Sequence, residues 1–312
     1  VPDTERRILK GHQARTAPRV PAGIALLIGF GLLAAGVMLG LVGAGILRPT
    51  PRVPAPAAVP YAIGVTFVVL GAWLLALRVG DGLRETRARR LRRAMPGSPW
   101  LADHPWDPAG AWDETGRRAA SAAILSVILG LFLVPFNWVA FSSRSGIPLS
   151  GRIVAVVVTA AFDVLTVIVA GFAAYLGWRR ARFGRVFLRF ERFPLSLGVP
   201  ARVWLRVPRA PADCRLAATL RCIEERYVSD GESSSTRSEQ VWADTHPVEP
   251  AWGRLGETWN LPITLRLPIG PYETRLADRP PRYWELEVRG EAPGVDFGAT
   301  FLVPVYASRS AA

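Results

Sequence analysis

Asp163 is the residue whose placement most suggests chemistry. It sits inside a long apolar run, eleven residues beyond Arg152, a depth of roughly 16 Å at helical rise. An ionised Asp at such a depth in a bilayer costs at least about 2.5–3.5 kcal/mol. Its side chain is therefore expected to be protonated or to face other helices. Thr159 and Thr166, at i−4 and i+3, share its helical face and offer hydroxyls. Two readings follow: a hydrogen bond that holds helices together, or a group that relays a proton or an ion. Transporters ordinarily carry several such groups and interrupted helices. This chain shows one deep acid, which favours the structural reading.

Other residues with ligand chemistry do not form a pattern. Asp103, His104, Asp107 and Glu114 lie in one segment, but a single His without regular spacing does not define a metal site. His12 and His246 are far away in sequence, and Cys214 and Cys222 are the only cysteines. Two cysteines in one strand-like segment are too few for a disulfide framework or a zinc site, and they read as small apolar residues of a reduced interior. The sequence contains no nucleophile motif, phosphate loop or paired carboxylates in a recognisable context. No catalytic residue, cofactor or metal is assigned, and an enzyme is not expected.

The third candidate group is electrostatic. Arg84, Arg87, Arg89, Arg90, Arg92 and Arg93 fall within ten residues and are followed by Trp100, Trp106 and Trp112, with Pro99, Pro105 and Pro108 among them. The formal charge of +13 would suit nucleic acid, but its distribution does not. Residues 183–312 hold 17 Arg against 16 Asp and Glu, so nearly all the excess lies in residues 1–182, beside long apolar runs. Arginines placed there set membrane topology and meet anionic headgroups at about 1 kcal/mol each. The prolines exclude a continuous helix through the tryptophans. That segment is read as lying on the inner membrane surface or docked against the C-terminal domain.

The elements that must position these residues are four apolar stretches, at about 22–47, 59–79, 119–141 and 153–178. Each is long enough to cross about 30 Å of hydrocarbon as a helix. The first exceeds a signal-peptide core and lacks a small-residue cleavage site, so it reads as a span. Arg and Lys number 18 in the N-terminal tail, the second loop and the segment after the last span, against 4 in the other two loops. This bias places both termini in the cytoplasm. Gly36, Gly40 and Ala44 recur every four residues and form a small-residue face for close packing, within the bundle or in a homo-oligomer.

From about Arg185 the apolar pattern alternates, as in half-buried strands. Val186, Leu188 and Phe190 share one face. So do Val203, Leu205 and Val207, then Leu216, Ala218, Leu220 and Cys222. Ile263, Leu265, Leu267 and Ile269 follow, then Trp284, Leu286 and Val288, then Phe297 through Val305. Trp242 falls in a short strand, and 229–240 reads as a hairpin tip. Seven or more strands joined by Pro- and Gly-containing turns imply an antiparallel β-sandwich. The expected division is a tail at 1–21, a transmembrane domain at 22–182 that includes the basic and Trp-rich loop 80–118, and a cytoplasmic sandwich at 183–312.

Several strings together resemble a family of uncharacterised bacterial integral membrane proteins. They are "PW…W…W" in the second loop, "RRARFGRVFLRFERFPLSLG", "LRC…QVW" and "LPITLRLPIGPYETRL…RYWELEVRGEAPGVDFGATFLVPVY". The resemblance covers the chain from the first span onward, and its last string is similar in cadence to the second half of an arrestin-like sandwich; an immunoglobulin-like one would read similarly. The family pattern places aromatic and basic residues after the Pro–Trp pair, where this chain has Leu101, Ala102 and Asp103. The resemblance implies a bacterial inner-membrane location and an architecture, without a reaction. The function expected is that of a non-enzymatic multi-pass adaptor whose sandwich binds a protein partner or a second copy, with the bilayer and its anionic headgroups as the other partner and no nucleic acid. The alternatives are an ion- or proton-linked transporter or sensor using Asp163, and a membrane-bound enzyme.

Overall fold

The computed structural model describes residues 6–9, 12, 15, 22–47, 58–141, 149–210, 214–229, 234–249 and 251–307. The helices are α1 (Ala22–Gly43), α2 (Ala58–Ala94), α3 (Pro99–Asp103), α4 (Thr115–Phe141) and α5 (Leu149–Phe183). α1, α2, α4 and α5 are long and apolar enough to cross a membrane. The chain forms two compact units.

The helical unit comprises Arg19–Leu83 and Arg117–Tyr175. Its large apolar side chains point outward: Leu27 is 74% exposed and Val167 70%. Among its buried residues are the small or polar Ala25, Thr66, Ala140 and Thr159. α1 and α2 meet backbone to backbone. A β-carbon on Gly36 would lie 2.7 Å from the Gly64 carbonyl oxygen, and one on Gly71 would lie 2.7 Å from that of Gly29. Gly29 and Gly36, like Gly64 and Gly71, are seven residues apart, two helical turns, so each pair occupies one face. Absent side chains at these positions let the helices approach at van der Waals distance. Gly40 contributes its backbone, which a β-carbon on Gly64 would strike at 2.7 Å. The expected third member of the face, Ala44, falls outside it: α1 ends at Gly43, and Ala44 is an exposed turn residue.

The β unit comprises Val1–Pro18, Arg84–Gly116 and Leu176–Ala312. Its strands are β1 (Arg7–Ile8), β2 (Gly110–Trp112), β3 (Phe187–Phe190), β4 (Leu195–Ser196), β5 (Ala201–Val207) and β6 (Leu216–Ser229). They continue with β7 (Ser234–Val248), β8 (Gly253–Leu255), β9 (Thr258–Leu265), β10 (Arg282–Gly290), β11 (Phe297–Val303) and β12 (Val305–Tyr306). One sheet has the order β1-β7-β6-β10-β11, a second β2-β3-β5-β9-β8, and β12 pairs with β4 in parallel. All pairings within the two five-stranded sheets are antiparallel. Alternation along the strands builds one core from both sheets, in which Leu188, Val203, Leu205, Trp284, Leu286 and Phe301 are fully enclosed. The Trp284 indole Nε1 donates to the Tyr272 carbonyl at 2.6 Å, so its one polar atom is satisfied inside that core.

The structure departs from the sequence expectations at four points in this unit. Ser234–Gln240 belongs to β7 and pairs with Ile223–Ser229 of β6, which leaves only 230–233 of the expected hairpin tip outside the described residues. Trp242 lies in the same fifteen-residue strand and not in a short one. Ile269 does not continue the inward face of β9: it is 87% exposed, because Pro268 and the positive φ of Gly270 break the alternation. The division at 80–118 also shifts, since Arg84–Gly116 and the N-terminal tail cluster with the strands.

The Trp-rich segment is the seam between the two sheets. β2 pairs with β3, and Asp113 donates its backbone N–H to the Val186 carbonyl at 3.0 Å. On the other sheet, Glu114 N–H donates to the Thr300 carbonyl at 3.1 Å and Thr300 N–H donates to Asp113 Oδ1 at 2.8 Å. One short stretch thus satisfies the free edges of both β3 and β11, groups that would otherwise recruit foreign strands. Gly110, at φ 157, fits because a β-carbon there would lie 2.1 Å from the Leu188 oxygen.

Candidate functional site

The face of the β7-β6-β10-β11 sheet turned away from the core is not a plain water-facing surface. Tyr283, Glu285 and Glu287 alternate with the core residues of β10, which on its own predicts exposure. Instead Glu225 is fully enclosed, Glu285 is 3% exposed and Tyr283 is buried. Ile223, Tyr283 and Leu302 form a second, smaller apolar cluster there, against which Leu9 and Trp106 pack.

What covers this face is the N-terminal tail and the Trp-rich segment. Arg7 and Ile8 pair antiparallel with Gln240 and Glu239, and Leu9 N–H donates to the Ser238 carbonyl at 3.0 Å. The Arg15 guanidinium lies 2.8 Å from Glu114, 4.0 Å from Glu285 and 5.0 Å from the Tyr283 ring centre. The Arg15 backbone N–H donates to Glu225 Oε1, which also accepts from the Tyr283 hydroxyl at 3.1 Å. Because that hydroxyl spends its one proton on Glu225, the His12 Nε2 atom 3.1 Å away is the donor in their contact. Burial lowers the affinity of Arg15 for its proton, but Glu114 first, then Tyr283 and Glu285, more than offset this and its pKa is raised. Burial next to Glu225 pushes the Tyr283 phenol well above its ordinary range. The Arg15 guanidinium is thus set between two carboxylates, Glu114 and Glu285, and its backbone N–H meets a third, Glu225, on the far side of the sheet from the core. Sequence reasoning missed this cluster: alternation sets Glu285 only on the face opposite the core residues, and no local signal links His12 or Arg15 to strands more than 200 residues away.

The three sequence-selected tryptophans have separate environments. Trp106 Nε1 donates to the Tyr306 hydroxyl at 3.2 Å, and Trp100 meets the Tyr306 ring edge-on at 5.9 Å. Trp112, 51% exposed, stacks on Phe187 and lies under the Arg185 guanidinium at 4.5 Å. The Tyr306 hydroxyl donates in turn to Asp103 Oδ2 at 3.2 Å. Arg92 ties Asp103, at 3.4 Å, to Asp278, at 2.7 Å. Burial pushes the Asp103 carboxyl above the usual aspartate range, with Tyr306 and Arg92 pulling the other way. Of the other arginines in the run, Arg89 pairs with Glu85 at 3.4 Å, and Arg84, Arg87, Arg90 and Arg93 are exposed.

In the helical unit, Asp163 accepts a hydrogen bond from Asn137 Nδ2 at 3.0 Å, joining α5 to α4. Of the threonines expected as its partners, Thr166 donates to the Phe162 carbonyl at 2.9 Å, and Thr159 is buried on the same helix. Asn137 also donates to the Leu133 carbonyl at 3.2 Å, close to Pro135, which has no N–H for the helix ladder.

The segment 103–114 does not gather its acids and His104 into a ligand set. Asp103 goes to Tyr306 and Arg92, Asp107 accepts from Ala109 N–H at 2.9 Å, and Glu114 meets Arg15. Among the described residues no group of three or more His, Cys, Asp or Glu could hold a metal ion. Cys214 and Cys222 are buried, and burial pushes both thiols up, away from thiolate chemistry.

No family model matches the chain, and no curated protein matches it. Among solved structures, that of Spo0M, a sporulation control protein from Bacillus subtilis, aligns over 39% of this chain at 13% identity and a TM-score of 0.28. The chain spans about half of that protein's length, 49%. The alkylpurine DNA glycosylase AlkC of Pseudomonas fluorescens, bound to DNA containing an abasic site analog, aligns over 90% of this chain and 76% of its own at 11% identity and a TM-score of 0.17. At such scores neither likeness carries an argument.

Proposed function

We propose that the chain is a non-enzymatic multi-pass protein of a bacterial inner membrane, in which four helices anchor a cytoplasmic β-sandwich that docks other proteins. One observation carries the docking reading. The β1-β7-β6-β10-β11 sheet already takes up chain segments from elsewhere in the sequence at both edges: Arg7–Leu9 beside β7, and Asp113–Glu114 beside β11. Strand addition of this kind is a general mode of peptide recognition. The anchor reading is supported by the outward-facing apolar side chains of the helical unit, and the cytoplasmic orientation by the 18-to-4 division of Arg and Lys.

The lipid reading of the arginine run narrows. α2 is unbroken to Ala94, so Arg84 to Arg93 advance roughly 14 Å along one axis rather than lying flat. In this reading Arg84 and Arg87, nearest the apolar stretch, meet anionic headgroups, while Arg92 pairs with Asp103 and Asp278. The Asp163–Asn137 bond favours helix cohesion over ion relay.

Photo-cross-linking in native membranes tests the docking reading. A photoreactive residue at Arg237 or Thr245 of β7 should give discrete protein adducts, and one at outward-facing Val167 should give none. Adducts from neither β7 position, with the chain at its normal abundance, would remove the reading.

A further inference from the structure

We propose that the acidic face of the β7-β6-β10 sheet is a docking site for an extended, arginine-bearing peptide, and that residues 6–9, His12 and Arg15 of the N-terminal tail are its built-in occupant, which such a peptide displaces. The inference rests on the docking reading above and adds the chemistry of the partner.

The first support is how the tail is held. Its strand is two residues long, with Ile8 50% exposed. No described residue of the tail belongs to the main two-sheet core. Leu9 packs against the small outer cluster, the His12 ring stacks on its Tyr283 at 6.5 Å, and the Arg15 guanidinium lies over the same ring at 5.0 Å. The other described contacts are hydrogen bonds and ion pairs: Arg6 with Glu239 at 3.9 Å, His12 with Tyr283, and Arg15 with Glu114, Glu225 and Glu285. A segment held at an edge by a few backbone bonds and charges can open without unfolding the domain.

The second support is what the face requires. Glu225 and Glu285 are buried on a sheet where Arg282 already pairs with Glu224 at 2.8 Å, Arg226 with Glu239 at 3.1 Å and Arg221 with Glu287 at 2.6 Å, and where Arg237 is exposed. Buried carboxylates are tolerated when a cation and hydrogen bonds meet them. Arg15 supplies the guanidinium, and a displacing chain must supply one in its place. The β7 backbone at Glu239 and Gln240, with which Ile8 and Arg7 pair, supplies the strand register. Arg is favoured over Lys because its planar fork can meet Glu114 while also facing Glu285 and the Tyr283 ring.

A tethered occupant sits at an effective concentration on the order of mM, so the native chain should bind a free peptide weakly. The test uses the full chain in lipid nanodiscs and a fluorescent peptide, RRILKGHQAR, which copies residues 6–15. The variant Leu9→Pro with Arg15→Ala removes the backbone bond to Ser238 and the guanidinium from the resident segment. It should bind the peptide about tenfold more tightly than the native chain, as loss of a charge-assisted bond from the competitor requires. A peptide with Glu in place of its last Arg should lose that binding, and so should the variant chain once Glu225→Gln and Glu285→Gln are added. Should the variant unfold, a protease site between Pro18 and Arg19 allows the segment to be cut after folding and exchanged against labelled peptide. No exchange after cutting, or equal binding of the Glu-bearing peptide, overturns the proposal. If cross-links from Arg237 and Thr245 persist in that case, the docking reading stands and only the peptide chemistry fails.

Discussion

In the helical unit Gly29, Gly36, Gly64 and Gly71 face a neighbouring helix and Leu27 and Val167 face outward; in the β unit Trp284 and Phe301 are enclosed and the outward face carries Arg and Glu. The two regions are nearly inverse in what they bury. Hydrophobic burial drives the second, at about 25 cal/mol per Å² of apolar surface. In the proposed membrane setting it would not drive association of the first, because lipid tails are as apolar as leucine, and close backbone contact and interhelical hydrogen bonds would serve instead. The Gly36–Gly64 contact and the Asn137–Asp163 bond are those two devices.

Substitutions can break this contrast, and the largest effect belongs to the β unit. Trp284→Ala removes a fully enclosed indole and its bond to Tyr272, and should cost about 3–5 kcal/mol in chemical denaturation monitored by the sheet's circular dichroism. A loss below 1 kcal/mol would mean the two sheets do not share one core. Next in size is Gly64→Val. Its β-carbon would meet the Gly36 carbonyl and Gly40 nitrogen at 2.7 Å, and overpacking of this kind costs about 1–3 kcal/mol. Gly40→Ala is the control, since a β-carbon at Gly40 meets nothing within 4 Å. Equal loss of thermal stability in detergent for both would contradict the α1–α2 contact.

Much of the architecture was legible because it depends on hydrophobic period. Long apolar runs can only be buried or lipid-facing helices, and alternation in Val203–Val207 or Trp284–Val288 assigns a core face without reference to any partner. What was not legible depends on contacts between segments distant in sequence. Asp163 was visible as an acid out of place, yet its partner Asn137 lies on another helix, and Thr166 at i+3 turned to its own backbone. The burial of Glu225 and Glu285 was not legible because nothing near them in sequence shows that His12, Arg15 and Glu114 cover them. The outward turn at Ile269 came from Pro268 and Gly270, a local cue that alternation outweighed in the reading.

Two smaller effects sharpen the comparison. Asp163→Asn and Asn137→Leu remove an interhelical bond that, by the measured range in bundles, is worth about 0.6 and at most 1.7 kcal/mol. Asn at 163 keeps an acceptor and should be the milder of the two in a detergent melt. If Asp163→Asn abolishes a cellular phenotype while the melt is unchanged, ion relay gains over cohesion. The smallest effect is at Asp103. Its folded-state pKa is raised by burial, so the folded protein holds the proton that the unfolded chain releases. Stability should therefore fall as pH rises from the ordinary aspartate pKa through the raised one. Asp103→Asn should remove that slope in melts across mildly acidic pH. A slope of opposite sign in the native chain, removed by the same substitution, would show that Arg92 and Tyr306 outweigh burial.

The central claim is that the helices span a membrane and hold the β unit on the cytoplasmic side, and paired topology reporters test it most directly. A reporter fused after Ala312 should be active only in its cytoplasmic form, and one inserted near Ala57, between the first two spans, only in its exported form. Activity of the exported form after Ala312 would reverse the orientation, and activity of the same form at both sites would contradict the spanning arrangement itself.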